Sequence, residues 1–257
     1  MTDNKQDLTA NIIEIFSSLQ GEGPYLGVRQ IFIRFANCNL KCAYCDTNYS
    51  PADFCQSEIA GGMGEFTKIK NPLTSHKLAK ETSRLNIFPH HSLSLTGGEP
   101  LLQTEFISEF LDILKTERNC ADLKIYLETN GTLPNELEKI INKIDIIAMD
   151  IKLESSTEKE TLWEEHKKFI EKALNYDKEI FVKTVVSKNI TPDEIAKIAD
   201  IMLICDKKIP LILQSVDSKD ENIVPNIQKL LSIQEVLLKI LPDVRIIPQM
   251  HKILNLK

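Results

Sequence analysis

Short apolar runs separated by amphipathic segments are the feature that most constrains the fold of this 257-residue chain. Most of the runs are β-branched and apolar on successive positions, and they lie at Ile31–Phe35, Leu93–Thr96, Ile125–Thr129, Ile144–Ile151, Ile180–Val186 and Leu211–Val216. Such runs are typical of parallel strands whose two faces are both covered. The segments between them carry apolar residues at helical spacing, as in Phe106, Phe110 and Leu114. The sequence therefore predicts an α/β fold with a largely parallel sheet.

The number of repeating units favours an open barrel. The chain holds about six strand–helix units, fewer than the eight that close a TIM barrel. We therefore expect an open, partial (β/α)6 TIM-like barrel with functional loops at the carboxyl ends of its strands. A doubly wound sheet is the alternative that the pattern leaves open. One helix start is explicit, because Thr191 can cap a helix whose first turn contains Pro192, Asp193 and Glu194.

Composition and charge narrow the class of protein. Hydrophobic residues make up 42% and charged residues 26% of the chain, which suits one globular domain spanning 1–257. Residues 48–90 lack strong periodicity and are predicted to be an insertion. The net charge of −6 argues against a nucleic-acid surface and favours a small-molecule partner. A polar N-terminus, and the lack of any apolar stretch near ~18 residues, predict a cytoplasmic protein with no membrane span.

Three of the six cysteines fall close together, with the spacing Cys38-x3-Cys42-x2-Cys45. The cytosol keeps thiols reduced, so clustered cysteines there suggest a metal site before a disulfide. Three thiolates on one loop can hold three irons of a [4Fe–4S] cluster and leave the fourth iron open. A structural zinc site usually needs a closed set of four ligands, and no second pair accompanies Cys55. Three unrelated buried cysteines are the remaining alternative.

Polar residues recur where successive predicted strands end. These segments are Thr96-Gly97-Gly98-Glu99-Pro100, Glu128-Thr129-Asn130-Gly131, Asp150-Ile151-Lys152 and Gln214-Ser215-Val216-Asp217. Each of them alone is compatible with helix capping or turn chemistry. Their joint recurrence at one end of the sheet predicts a ligand-binding edge.

The cysteine spacing, followed by a strand-end Gly-Gly-Glu, resembles the radical S-adenosylmethionine (SAM) superfamily. Further segments are similar to the 7-carboxy-7-deazaguanine synthase family: Phe16-Ser-Ser-Leu-Gln-Gly-Glu-Gly23, Arg34, Ala36-Asn-Cys-Asn-Leu40, Cys45-Asp46-Thr47 and Gln249-Met-His-Lys-Ile-Leu-Asn255. The resemblance runs from about residue 12 to the end, without the 48–90 insertion. The cysteine motif is common to the superfamily, whereas the Leu-Gln-Gly-Glu-Gly segment and the terminus are more specific.

The resemblance implies roles for individual residues. Cys38, Cys42 and Cys45 would hold the [4Fe–4S] cluster, and Thr47 would bind Mg²⁺. The predicted SAM contacts are Tyr44, Asp46, Gly98, Glu128, Asp150, Ile151, Lys152, Gln214, Ser215, Val216 and Asp217. The predicted substrate contacts are Leu19, Gln20, Gly21, Arg34, Thr96, His251 and the terminal Lys257. Arg34 also suits a carboxylate on physical grounds, because its planar fork gives two charge-assisted hydrogen bonds.

The resemblance also implies a reaction and partners. The substrate would be 6-carboxy-5,6,7,8-tetrahydropterin, from which a 5′-deoxyadenosyl radical would take the hydrogen at C6. The ring would then contract with loss of ammonia to give 7-carboxy-7-deazaguanine, in queuosine biosynthesis. The family implies an external electron donor such as flavodoxin or ferredoxin, and a homodimer. Two rival functions remain at this point: an activase that makes a glycyl radical on another protein, and a non-catalytic iron–sulfur electron carrier.

Two positions depart from the family pattern. Asn37 stands where glycine is common before the first cysteine; asparagine tolerates positive φ, so we expect little effect there. The chain ends in Lys257, whereas relatives usually end in a small or apolar residue.

Overall fold

The computed structural model describes residues 7–45, 47–204, 209–218 and 222–254, without the side chains of residues 251 and 252. Its strands are β1 (Thr9–Ala10), β2 (Ile12–Leu19), β3 (Arg29–Phe35), β4 (Phe54–Glu58), β5 (Phe66–Lys70), β6 (Leu73–Thr74), β7 (Ser92–Gly97), β8 (Lys124–Thr129), β9 (Ile146–Ile151), β10 (Glu179–Val186), β11 (Leu211–Ser215) and β12 (Val244–Ile246). Its α-helices are α1 (Ser75–Ser83), α2 (Thr104–Thr116), α3 (Pro134–Ile140), α4 (Glu154–Thr157), α5 (Trp163–Asn175), α6 (Pro192–Leu203), α7 (Ile227–Leu238) and α8 (Met250–Ile253). Short 3₁₀ turns lie at Gly23–Tyr25, Pro100–Gln103 and Ile141–Lys143.

Ten of these strands form one sheet in the order β12-β11-β10-β9-β8-β7-β3-β2-β4-β5. From β3 through β7 to β12 each described neighbour pair is parallel. The two ends of the sheet, β12 and β5, are not paired with each other. The predicted open, parallel barrel is therefore confirmed, and its parallel part includes the short strand β12 in addition to the predicted runs.

Helices cover one face of the sheet only, within the part of the chain that the structure describes. The large core cluster joins alternate strand residues to helix residues such as Phe106, Phe169 and Ile198. A second, smaller cluster holds only strand residues from the opposite face, Tyr126, Ile146, Ala148, Phe181 and Ile212. A doubly wound sheet would place helices against both faces. The inner face instead surrounds a lumen, as in a TIM-like barrel.

The segment 48–90 extends the sheet at its antiparallel edge. Strand β4 pairs parallel with β2, and β5 pairs antiparallel with β4. The buried carboxylate of Glu58 accepts hydrogen bonds from the backbone N–H groups of Ser17 at 2.8 Å and Gly64 at 2.9 Å. Asn71 donates to the carbonyl of Ile12 at 2.9 Å. The contacts to Ser17 and Ile12 attach the segment to β2.

The predicted start of α6 is confirmed in detail. The hydroxyl of Thr191 accepts from the N–H of Glu194 at 3.1 Å, and the Glu194 carboxylate accepts from the N–H of Thr191 at 2.9 Å. This reciprocal pair is a capping box, which satisfies two otherwise unpaired donors of the first turn. No helix in the described ranges combines the length and apolar character needed to cross a membrane.

Candidate active site

A cavity of about 260 Å³ occupies the lumen and opens toward the carboxyl ends of the parallel strands. Its wall is built from alternate residues of neighbouring strands, because successive side chains of a strand point to opposite faces. Such pairs include Tyr126 with Glu128 on β8, and Phe181 with Lys183 on β10. The volume suits small-molecule ligands.

The three clustered cysteines lie on the loop after β3 and line the mouth of this cavity. Asn37 begins the loop with a φ of +71°, so asparagine supplies the left-handed conformation as expected. Cys38 and Cys42 are partly buried and Cys45 is exposed. Burial raises the pKa of the Cys42 thiol to about 11. Metal binding would displace such a proton, since thiolates are the ligands.

The three thiols supply the donor set of a cluster. All three line one cavity and belong to one loop. A [4Fe–4S] cluster takes one thiolate at each of its protein-bound irons. Three thiols on one loop therefore fit a cluster with one open iron.

The Gly-Gly-Glu segment at the end of β7 braces the cysteine loop. The N–H of Glu99 donates to the carbonyl of Asn37 at 2.8 Å. A side chain at Gly98 is impossible without movement, because its Cβ would lie 1.8 Å from that same carbonyl oxygen. Glycine is needed here for close approach of two backbones.

The Glu99 side chain also joins the end of β7 to the end of β8. Its carboxylate is fully buried and accepts from Thr129 at 2.9 Å and from the N–H groups of Asn130 at 2.8 Å and Leu101 at 3.0 Å. Burial raises the pKa of Glu99 to about 7, against the opposing effect of these hydrogen bonds. Asn130 in turn donates to Asn39 at 2.8 Å on the cysteine loop. Glu99 thus fixes the β7 and β8 ends to each other and to that loop.

Charged and polar residues at the ends of β9 and β11 form another part of the wall. The ammonium of Lys152 donates to Asp150 at 2.8 Å and to the Tyr44 hydroxyl at 3.1 Å. Burial disfavours its charge, but Asp150, Tyr44 and Cys42 together outweigh this and raise the pKa of Lys152 well above its usual value. Asp150 Oδ1 and Gln214 Oε1 are buried on the cavity wall without a hydrogen-bond partner. Buried acceptors of this kind need donors, which a ligand bound in the cavity would supply.

A polar belt lies deeper in the lumen. Glu128 accepts from Gln20 at 2.8 Å through one oxygen and from Thr96 at 2.6 Å through the other. Gln20 also donates to Gln30 at 3.0 Å. Beneath this belt, Tyr25 packs against the apolar lumen cluster, with its ring edge-on to Tyr126 at 5.8 Å between centroids. The floor of the lumen is therefore apolar and closed by the 3₁₀ turn.

Comparison with known proteins decides the family. Residues 32–202 match the family model described as the Radical SAM superfamily. The chain is 39% identical over 250 residues to a 7-carboxy-7-deazaguanine synthase of Geobacter sulfurreducens, covering 96% of this chain and 97% of that protein. It is 33% identical over 267 residues to the 7-carboxy-7-deazaguanine synthase of Methanothermobacter thermautotrophicus, covering 97% and 99%. This chain belongs to the 7-carboxy-7-deazaguanine synthase family of radical SAM enzymes.

Solved structures agree with the fold of that family. The crystal structure of QueE from Escherichia coli superposes with a TM-score of 0.59 at 20% identity, over 95% of both chains. A radical SAM methyltransferase from Sphaerobacter thermophilus superposes with a TM-score of 0.57 at 10% identity, over 86% of this chain and 66% of that one. At these identities the likeness concerns the fold alone.

Most residues that family resemblance predicted for the site do line the lumen. They are Leu19, Gln20, Gly21, Arg34, Cys38, Cys42, Tyr44, Cys45, Thr47, Thr96, Gly98, Glu128, Asp150, Lys152, Gln214, Ser215 and Asp217. Ile151 and Val216 differ, because their side chains are buried away from the cavity. Any contact from these two positions with a ligand of the family would come from the backbone. Asp46 and Lys257 lie outside the described residues, as does the side chain of His251, whose backbone is part of α8.

The structure gives partners to two of the predicted residues. Glu128, a predicted SAM contact, accepts hydrogen bonds from Gln20 and Thr96, which the family resemblance places at the substrate. Arg34 forms a salt bridge with Glu14 at 2.8 Å between Nε and the carboxylate. Its guanidinium lies 6.0 Å from the centre of the Phe16 ring, on the lumen wall.

The sequence does not single out Lys183 or its partner Glu22 as site residues. Lys183 lines the lumen, pairs with Glu22 and lies 3.5 Å from Asp150. Gln249 donates to the same Glu22 carboxylate at 2.7 Å, and the N–H of Met250 donates to the carbonyl of Gly21 at 2.9 Å. The sequence feature that could have identified Lys183 is a single lysine within the apolar run Ile180–Val186, which is predicted to be a strand covered on both faces. Such a residue is costly unless it is paired.

Proposed function

We infer that this enzyme converts 6-carboxy-5,6,7,8-tetrahydropterin into 7-carboxy-7-deazaguanine with loss of ammonia, in queuosine biosynthesis. The observation that carries the proposal is a single lumen whose mouth holds the three-cysteine loop and whose depth holds Leu19, Gln20 and Gly21. A radical made at the mouth therefore opens onto the same lumen as the segment most specific to the family. Near-full-length similarity to named 7-carboxy-7-deazaguanine synthases supports the same reaction.

The proposed roles divide along the lumen. Cys38, Cys42 and Cys45 would hold the cluster, which together with SAM would supply the radical chemistry that removes a hydrogen atom from the pterin. Asp150 and Gln214 accept hydrogen bonds from SAM, since each presents a buried acceptor without a partner. Lys152 forms an ion pair with Asp150 and joins it to Tyr44 on the cysteine loop.

The polar belt suits the chemistry of the pterin. The aminopyrimidinone ring presents N–H donors, and Glu128 offers carboxylate oxygens to the lumen between Gln20 and Thr96. The substrate carboxylate needs a cation, and Arg34 provides a guanidinium already oriented by Glu14. The apolar floor around Phe181 keeps water from the reacting carbon, which protects a radical from side reactions.

The proposal extends to a metal ion and partners. Thr47 lies on the cavity wall and offers a neutral oxygen to Mg²⁺, which then takes its other ligands from substrate and water. A one-electron donor such as flavodoxin or ferredoxin must reduce the cluster. A homodimer is supported by apolar residues of α7 that face solvent in this chain, with Ile227 52%, Leu231 50% and Leu238 48% exposed.

A lumen of about 260 Å³ favours a small substrate over the glycyl-radical domain of a partner protein. A simple electron carrier would have little use for buried acceptors and a polar belt beneath its cluster. These features disfavour both rival functions.

The test is an anaerobic assay of the reconstituted enzyme with SAM, a reductant and the carboxypterin. Product is followed by the chromophore of the deazaguanine and by release of ammonia. Cys38→Ala should lose the brown cluster absorbance and all turnover. Cys55→Ala is the matched control, because Cys55 is buried in the extension of the sheet and should leave both intact. A wild-type enzyme that cleaves SAM but leaves the carboxypterin unchanged would disprove the assignment of substrate.

A further inference from the structure

His166 is a fully buried histidine of α5, on the helix-covered side of the sheet behind the cavity wall. It is absent from the lumen lining and borders a separate small void next to Leu40, Cys42 and Lys152. No step of the proposed reaction uses it. Buried polar groups are normally hydrogen-bonded, so replacing a buried imidazole leaves its hydrogen-bond partners unsatisfied. The partners of His166 therefore indicate its role.

Both ring nitrogens contact the backbone of strand-end loops. The N–H of Lys152, just after β9, donates to Nε2 at 3.3 Å. Nδ1 lies 3.2 Å from the carbonyl oxygen of Gly131, just after β8. A carbonyl can only accept and an N–H can only donate, so one tautomer satisfies both contacts: the neutral ring protonated on Nδ1. Burial also lowers the pKa of His166 to about 4, which keeps the ring neutral.

The two loops that His166 joins are parts of the active site. Gly131 follows Asn130, whose side chain donates to Asn39 on the cysteine loop. Lys152 carries the ammonium that contacts both Asp150 and Tyr44. Gly131 has a φ of +66°, and a Cβ there would lie 3.2 Å from His166 Nδ1 and 2.6 Å from the Met149 side chain. The loop is therefore fitted closely to the imidazole.

We propose that His166 is a positioning residue for SAM: it ties the loop after β8 to the loop after β9, and so holds the Lys152 ammonium against Asp150 and Tyr44. The inference rests on the proposed function, since it assumes that these groups face SAM. It assigns to His166 no contact with SAM itself. Loss of the imidazole should let the Lys152 backbone relax and weaken SAM binding while the cysteines still hold the cluster.

Three substitutions separate this role from simple core packing. His166→Phe fills the space but leaves the Lys152 N–H and the Gly131 carbonyl without partners. His166→Gln can place an oxygen where Nε2 accepts from Lys152, and His166→Asn can place a donor where Nδ1 faces Gly131. His90→Phe is the matched control, because His90 is also buried and contacts Ser17 at 2.7 Å and the Asn86 carbonyl at 3.0 Å, outside the lumen lining.

The measurements are iron content, thermal stability, and SAM affinity from the change that SAM causes in the EPR signal of the reduced cluster. We expect His166→Phe to bind SAM roughly five- to tenfold more weakly, the scale of one lost hydrogen bond, with unchanged iron content. His166→Gln should recover most of the affinity and His166→Asn little, because the Lys152 contact is the one that matters. His90→Phe should lose stability and keep wild-type SAM affinity.

Two results would overturn the proposal: wild-type SAM affinity in folded His166→Phe, or equal affinity in the Gln and Asn variants. If His166→Phe does not fold, the Gln and Asn pair alone decides. A wild-type cluster that does not respond to SAM would instead remove the proposed function, and this inference with it.

Discussion

Replacing Gly98 by alanine should break the brace between β7 and the cysteine loop while leaving the barrel intact. The new Cβ would lie 1.8 Å from the Asn37 carbonyl oxygen, 2.5 Å from the Asn37 carbonyl carbon and 3.2 Å from the Cys38 nitrogen. Ordinary contact begins at 3.4 Å, so the two backbones must separate by about 1.6 Å. Both atoms of the Asn37 carbonyl are backbone, so no flexible side chain can give way.

The magnitude follows from what that separation breaks. The hydrogen bond from the Glu99 N–H to the Asn37 carbonyl, now 2.8 Å, is lost, at a cost of about 1 kcal/mol. Overpacking in a tightly packed region adds about 1–3 kcal/mol. Because Asn37 precedes Cys38 directly, the strain displaces the first ligand rather than the core. We therefore expect Gly98→Ala to lose about 2–4 kcal/mol of unfolding free energy and most of its cluster.

The assay is iron and sulfide content after anaerobic reconstitution, together with urea unfolding of the cluster-free protein. Gly64→Ala is the control: its φ is +70°, yet nothing lies within 4 Å of the added Cβ. It should lose only about 1 kcal/mol, the strain of the left-handed conformation, and keep full iron content. A Gly98→Ala enzyme with wild-type iron content and stability would refute the close approach described here.

Three further outcomes can be measured. Burial raises the pKa of Glu99 to about 7, from an ordinary value of 4.5. Between these two pH values the folded protein retains a proton that the unfolded chain loses, so the free energy of unfolding should fall by about 3 kcal/mol as the pH rises. In urea titrations between pH 5 and 8, Glu99→Gln should remove this part of the pH dependence; an unchanged pH dependence would mean that Glu99 is ionised throughout. Arg34→Lys should weaken carboxypterin binding by ~1–3 kcal/mol while SAM cleavage persists, whereas equal affinity would leave Arg34 as the partner of Glu14 only. Calorimetry should show tight Mg²⁺ binding only with the carboxypterin present, and Thr47→Ala should blunt the Mg²⁺ dependence of turnover; equal Mg²⁺ affinity with and without substrate argues against a site completed by substrate.

The central strands could be predicted because burial on both faces leaves a continuous apolar run, which β9 and β10 show clearly. The edge strands could not. Residues of β5 are partly or fully exposed and alternate with charges, as in Phe66-Thr-Lys-Ile-Lys70, so the pattern there resembles a loop. The antiparallel strand β2 was hidden for a related reason, since its polar residues Glu14, Ser17 and Ser18 interrupt the apolar sequence. Pairing partners in space, rather than local pattern, decide such strands.

The parts of the candidate site formed by residues close together in the sequence could be predicted, and the parts formed by residues far apart could not. Cysteine spacing and the strand-end motifs are adjacent in sequence, and they locate the mouth of the lumen. The neighbours of Glu128 in the lumen depend on how β8 is aligned with β7 and β9. The sequence does not give that register. The partner of Lys183 is Glu22, which lies 161 positions away in the chain. No local pattern predicts that pair. His166 has a lone position on an apolar helix face and gives no signal in the sequence.

The contacts of Gln249 and Met250 with the Glu22 and Gly21 segment are the last to become possible as the chain is made. Among the described residues, the hydrogen bonds that hold the cysteine loop reach no further along the chain than Thr157, whose carbonyl accepts from the N–H of Ala43 at 3.0 Å. The Glu22 and Gly21 segment, in contrast, receives contacts from positions 249 and 250. A chain emerges from its N-terminal end during synthesis. The partners of the cysteine loop are therefore all present before the residues that tie down the Glu22 and Gly21 segment.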